Sequence, residues 1–121
     1  MHNKVSLIGR LTKDIELKEL DNDKIVGNLT LAVNRNYKNA DGVYETDFFD
    51  VSLWNNLAKR TAEYTKKGDL IGVTGSLQKD TYEKENGEKV SRVYVVADKT
   101  LFLGSKQKNE KSDDYERWKK G

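Results

Sequence analysis

Up to Gly104, apolar side chains recur mostly at alternate positions, the spacing of β-strands that bury one face. In the segment Lys4 to Leu11, Val5, Leu7 and Leu11 share one parity, and Gly9 between them marks a bulge or the close approach of another backbone. Ile15 to Leu20 reads as a weaker continuation, followed by "LDNDK", where Asp and Asn side chains bond locally to their own backbone and favour a turn. The clearest alternation comes next. Ile25, Gly27, Leu29, Leu31 and Val33 lie on one face, and Val26, Asn28, Thr30, Ala32 and Asn34 on the other. "NADG" supplies a hairpin loop, and Thr46 to Trp54 forms a third strand whose Phe49, Val51 and Leu53 point to a core.

The period then changes. In "NNLAKRTAEYTKKGD", Leu57, Thr61 and Tyr64 form one helical stripe with Ala58, Ala62 and Thr65, and Lys66, Lys67 and Gly68 suit a C-terminus. A fourth strand follows with Ile71, Val73, Gly75 and Leu77 inward, then a hairpin tipped by "ENGE", then a fifth strand from Val90 to Ala97, with "TLFLG" closing the ordered part. Five short strands with one short helix between the third and fourth are the order expected of an OB-fold, an all-β, partly open Greek-key barrel. An SH3-like barrel would place no helix there.

Length and composition narrow the class. At 121 residues the chain is one domain's worth, with a core large enough to do without disulfides or structural metals. There is no cysteine, so thiolate chemistry is excluded and a reducing cytoplasm is the simplest address. No apolar run is long enough for a membrane span, and the start "MHNKVSLIGRL" is too short for a secretory signal, so the chain reads as soluble and unprocessed. The formal charge of +2 is carried by the end of the chain: residues 104–121 hold six of the 22 basic and four of the 20 acidic residues, leaving 16 of each in the body. A polyanion could therefore be bound only if the basic groups are sorted onto one surface. Residues 1–103 are read as the barrel domain. Residues 104–121, "SKQKNEKSDDYERWKKG" after the glycine, have too little apolar content to offset ordering entropy and are expected to be a charged, disordered tail whose aromatics are Tyr115 and Trp118.

The face of the third strand that ought to be polar carries Phe48, Asp50, Ser52 and Trp54. A solvent face does not normally hold two large rings. They are either covered, by the helix, a hairpin or a second subunit, or they are used. Tyr37, at the foot of the first hairpin, and Tyr82, on the parity of Gln78 and Asp80, add two more outward rings, with Arg35, Lys38 and Lys79 nearby in sequence and Lys4, Arg10 and Arg92 as further basic candidates. Rings interleaved with cations suit an unpaired nucleic-acid strand. A ring stacks on any base at about 1–3 kcal/mol per base, and Lys or Arg neutralise phosphates with release of counterions. An OB-fold recognising structured RNA or a protein partner, and a purely structural oligomer, are the competing classes.

Catalysis has little support. His2 is the sole histidine and lies at a terminus. Asp47 and Asp50, three apart on a strand, point to opposite faces and cannot share a metal. No phosphate loop or nucleophile elbow appears, so no catalytic residue, metal or cofactor is assigned and the chain is not read as an enzyme.

The stretches "NKVSLIGRLTKDIEL", "GNLTLAVNRNYKNADG", "TDFFDVSLWNNLAKRTAEYTKKGDLIGVTGSL" and "YVVAD" resemble the bacterial single-stranded DNA-binding protein family in order and spacing, across about residues 3 to 103. The resemblance implies an OB-fold assembled as a homotetramer that binds and protects single-stranded DNA without regard to sequence in replication, recombination and repair. Carried over by position, the family's stacking aromatics fall on Tyr37, Phe48, Trp54 and Tyr82, and its dimer-pairing first strand on Met1 to Arg10. The chain departs from the family in two places. The hairpin leading to Tyr82 (Gln78, Lys79, Asp80, Thr81) is less basic than in many relatives, and the end "DDYERWKKG" lacks the glycine-rich linker and acidic Pro-Phe tip that recruits replication and repair enzymes. It resembles the short forms of phages and mobile elements or a truncated form, and recruitment through an acidic tip is not expected.

Overall fold

The computed structural model describes residues 1–105; the expected tail, with Tyr115 and Trp118, lies outside the described residues apart from its first two positions. Six strands and one α-helix follow one another as β1 (Val5–Leu11), β2 (Glu16–Glu19), β3 (Ile25–Lys38), β4 (Tyr44–Trp54), α1 (Asn55–Tyr64), β5 (Leu70–Glu83) and β6 (Lys89–Gly104). The weak segment after the first strand is thus a short strand of its own. It pairs with β3 from Glu16↔Asn28 to Glu19↔Ile25, while the end of β1 pairs with β3 at Arg10↔Ala32 and Leu11↔Leu31. Together β1 and β2 edge β3 as one interrupted strand, so the helix expected after three strands follows the fourth in chain order.

The sheet runs β1-β5-β6-β4-β3, and the β1–β3 pairing closes these five strands into a barrel with β2 beside it. Closure demands a tight crossing, and Gly9 supplies it. A Cβ at this position would lie 2.5 Å from the carbonyl oxygen of Ala32, so the close backbone approach expected from the sequence is what joins β1 to β3. Gly75 plays the same part between β5 and β6, where a Cβ would meet the Val96 carbonyl oxygen at 2.1 Å beside a shift in register.

Alternation fills the barrel. Leu29 and Leu31 of β3, Val51 and Leu53 of β4, Ile71 and Val73 of β5 and Val95 of β6 are buried together with Leu11, Ala58 and Ala97. Helix α1 lies over the barrel with Ala58 and Thr61 buried. The Thr61 hydroxyl donates to the Leu57 carbonyl at 2.7 Å and lies 2.9 Å from the Thr100 hydroxyl, so this polar group is satisfied inside. Tyr64, expected on the packed stripe, is instead exposed, with its ring 5.8 Å from that of Phe102. The helix also ends at Tyr64, before the lysines expected in its last turn. The N–H groups of Lys66 and Lys67 are held in the following loop by the carboxylates of Asp69 and Asp14. No helix among the described residues is long and apolar enough to cross a membrane.

Two positions expected to face the core do not. Phe49 and Leu77 have the right parity but are 37% and 45% exposed. The cause is that β4 and β6 are joined only at Val51↔Val95 and Ser52↔Val96. Beyond these pairs the wall opens into a cleft of about 360 Å³, lined by Phe48, Phe49, Asp50, Leu77, Val93, Tyr94 and Val95.

Candidate nucleic-acid interface

Cross-strand partners stand on the same side of a sheet, so the register places each side chain. On β4 the outward set is Tyr44, Thr46, Phe48, Asp50, Ser52 and Trp54, with Phe48 opposite Ala32, Asp50 opposite Thr30 and Trp54 opposite Val26. Arg10 is also opposite Ala32, and so shares the side of Phe48 two strands away. In the other direction Ser52 stands opposite Val96 of β6. Gln78, Asp80 and Tyr82 of β5 stand opposite Tyr94, Arg92 and Val90. One continuous outer wall therefore carries Phe48, Trp54 and Tyr82. Phe48 and Trp54 are six residues apart on β4, a span of roughly 20 Å.

These rings are open to solvent. Phe48 is 65% exposed, Tyr82 52% and Trp54 38%. Tyr37 is 64% exposed and lies where the register between β3 and β4 slips, between Asn34 and Lys38, at the base of the first hairpin. Trp54 is fixed by its successor: the Asn55 side-chain oxygen accepts the Ile25 N–H at 3.1 Å, tying the end of β4 to β3 as α1 begins. The hairpins are shaped locally too. The Asn39 side-chain oxygen accepts the N–H groups of Asp41 and Val43, and that of Asn86 accepts the N–H of Glu88.

The wall also carries two rings that the sequence reading did not select. Tyr44 shares the parity of Phe48 and was missed because β4 starts two residues earlier than expected; the Lys38 ammonium lies 5.7 Å from its ring centre. Tyr94, half-buried, alternates with the inward Val95, and that parity was the available signal. The Arg92 guanidinium lies over its ring at 5.0 Å.

The six basic candidates are not equivalent. Arg35 belongs to the other side of the β3–β4 ribbon, the side of Val33 and Asp47. There its Nε and Nη2 donate to Asp47 at 3.0 and 3.1 Å, and its Nη1 lies 2.7 Å from Glu45. This clasp raises the Arg35 pKa and, by hydrogen bonding before charge, holds the Asp47 carboxyl below its usual range despite an opposing desolvation cost. Lys4 pairs with Asp98 at 3.2 Å, and Arg92 lies 3.7 Å from Asp50. Arg10 donates to the Gly68 carbonyl at 3.0 Å and has no ion pair among the described residues. Neither Lys38 nor Lys79 has a carboxylate partner there, and Lys79 stands opposite Val93, on the parity away from Tyr82. Asp47 and Asp50 lie on opposite faces, as their spacing requires.

A closed five-stranded barrel of this order, with a helix between β4 and β5 and a ring-bearing outer wall, is an OB-fold. A sequence model described as the Single-strand binding protein family matches residues 2–103, and the chain belongs to that family. It is 42% identical over 113 residues to "Single-stranded DNA-binding protein B" of Bacillus subtilis (strain 168), an alignment covering 93% of this chain and all of that one. It is 46% identical over 105 residues to "Single-stranded DNA-binding protein 1" of Lactococcus lactis subsp. lactis (strain IL1403), covering 87% of this chain and 70% of the relative.

Proposed function

We propose that the chain binds single-stranded DNA along its outer wall without reading sequence, and so protects exposed strands in replication, recombination and repair. The bases stack on Tyr37, Phe48, Trp54 and Tyr82, and Arg10 and Lys38, with Lys4 after exchange of its carboxylate partner, meet the phosphates; Arg92, flanked by acids at the centre of the wall, and Lys79, on the parity away from Tyr82, contribute less. Arg35, clasped by two carboxylates on the other side of its ribbon, contributes least. The observation that carries this reading is the exposure of four rings, three on the outer wall and Tyr37 at the base of the first hairpin. Stacking needs a bare π-face and discriminates poorly among bases. Duplex DNA keeps those faces inside its own stack.

The protein acts as a homo-oligomer, a tetramer by family resemblance. Supporting this, Val5 to Gly9 of β1 have a ladder partner only on the β5 side, leaving an edge that a second copy can pair. On the outer face next to this edge, Ile8, Leu101 and Leu103 are exposed and converge over Gly72. The lack of cysteine suits a reducing cytoplasm.

Tryptophan emission tests the binding mode. In a Trp118→Phe background, where Trp54 is the reporter, oligo-dT is expected to quench strongly and added salt to weaken the effect. Unchanged emission, or a preference for duplex of equal length, would overturn the reading.

A further inference from the structure

Two carboxylates stand among the rings of the outer wall, where a polyanion would be expected to meet only cations. Asp50 lies between Phe48 and Trp54 on β4, accepts the Thr30 hydroxyl at 3.0 Å and faces Arg92 at 3.7 Å. Asp80 stands directly opposite Arg92, two residues before Tyr82, and accepts the Tyr94 hydroxyl at 3.4 Å. The cation at the centre of the wall is thus flanked by two acids. The cations of the wall without carboxylate partners, Arg10, Lys38 and, opposite Val26, Lys18, lie towards its margin. The wall is negative to neutral in the middle, and its rim is mainly positive, with Glu16 opposite Asn28 the exception.

We infer that Asp50 and Asp80 are specificity-determining residues: they keep phosphates out of the centre of the wall, so that a strand lies with its bases inward and its backbone on the rim, and duplex is rejected. This rests on the single-strand reading above. A single strand can rotate its backbone outward and present base faces to the rings. A duplex carries phosphates on its whole outer surface and must press some of them against Asp50 and Asp80 wherever it docks. Like charges at such distances repel, and in an exposed site the effect is moderate and screened by salt. The carboxylates thereby weaken the wrong ligand more than the right one, which is how discrimination against a competitor is built.

The test compares Asp50→Asn, Asp80→Asn and the double variant with the unsubstituted full chain, using oligo-dT and duplex of equal length over a range of salt. Both residues are exposed, and Asn keeps the acceptor that Thr30 or Tyr94 uses, so thermal unfolding should be unchanged. The double variant is expected to bind duplex about tenfold more tightly and oligo-dT within about threefold of the original, with the duplex salt slope steeper by about one per newly admitted phosphate. Asp47→Asn, which removes the same charge from the opposite side of β4, should leave the ratio of the two affinities unchanged. Equal strengthening for both ligands, an unchanged duplex affinity while oligo-dT still binds, or an equal effect of Asp47→Asn would each overturn the inference. Failure of the unsubstituted chain to bind oligo-dT would instead overturn the single-strand reading itself.

Discussion

The same strands behave differently at their two ends. Where β3 to β6 belong to the closed ring, alternation gives a dry interior: Val51 and Leu53 on β4, Ile71 and Val73 on β5, and Val95 on β6 are all at most 2% exposed. A few residues along the same strands the alternation continues, but Phe49, Leu77 and Val93 are open. Nothing in the local pattern changes. What changes is that β4 and β6 part, so no opposing wall remains for the inward parity to meet. The ring supplies stability, and the arms supply apolar and aromatic surface that has not been used to hold the fold. Core and exposed apolar surface are thus two stretches of one strand.

Truncation of matched positions separates ring from arm. Leu31→Ala, inside the ring, is expected to cost about 2–5 kcal/mol of unfolding free energy, and Phe49→Ala on the arm of β4 about 1 kcal/mol. Urea denaturation of the two variants measures the contrast; equal losses would mean that the arm is part of the core.

The next effect is on binding alone. Phe48→Ala should weaken oligo-dT binding by about 1–3 kcal/mol, equally for dT and mixed-sequence strands, since a ring stacks on any base. Its unfolding midpoint should hardly move, because Phe48 is mostly exposed. A loss confined to one sequence, measured by fluorescence anisotropy, would replace stacking with base-edge recognition.

The smallest effect belongs to the Arg35 clasp. Its guanidinium depresses the Asp47 pKa in the folded state, so the pair contributes stability above the ordinary Asp range near 4, and that contribution is lost as pH falls through the lowered value. The difference in urea midpoint between the unsubstituted chain and Asp47→Asn should therefore be present at neutral pH and shrink in strong acid. Because both partners are exposed, the difference is small throughout.

Much of the barrel could be read from the sequence, because strand order, the helix position and the close approach at Gly9 each leave a local mark: period two, period 3.6 and a glycine between apolar neighbours. The outward rings Phe48 and Trp54 were legible for the same reason. Phe49 and Leu77 were misassigned because parity names a side of a strand and not what faces that side. Tyr44 was lost to a boundary two residues out, and Tyr64 is exposed as the last residue of α1. Ion pairing was the least legible feature. Lys4 and Asp98 are 94 residues apart, and Arg92 meets Asp50 only because β4 and β6 run parallel for two pairs. Which cations are already committed depends on register between distant strands, which no local pattern encodes.

In the proposed complex, unpaired bases lie on the outer wall of the opened barrel and nowhere else. Photocrosslinking of the full chain to oligo-dT, with adducts mapped by mass spectrometry, locates them. The exposed pair Tyr64 and Phe102, on the helix side, serves as an internal control. Adducts on Phe48, Trp54, Tyr82 and Tyr37 with Tyr64 and Phe102 unmodified are expected; adducts concentrated on Tyr64 and Phe102 would place the strand on the helix side instead.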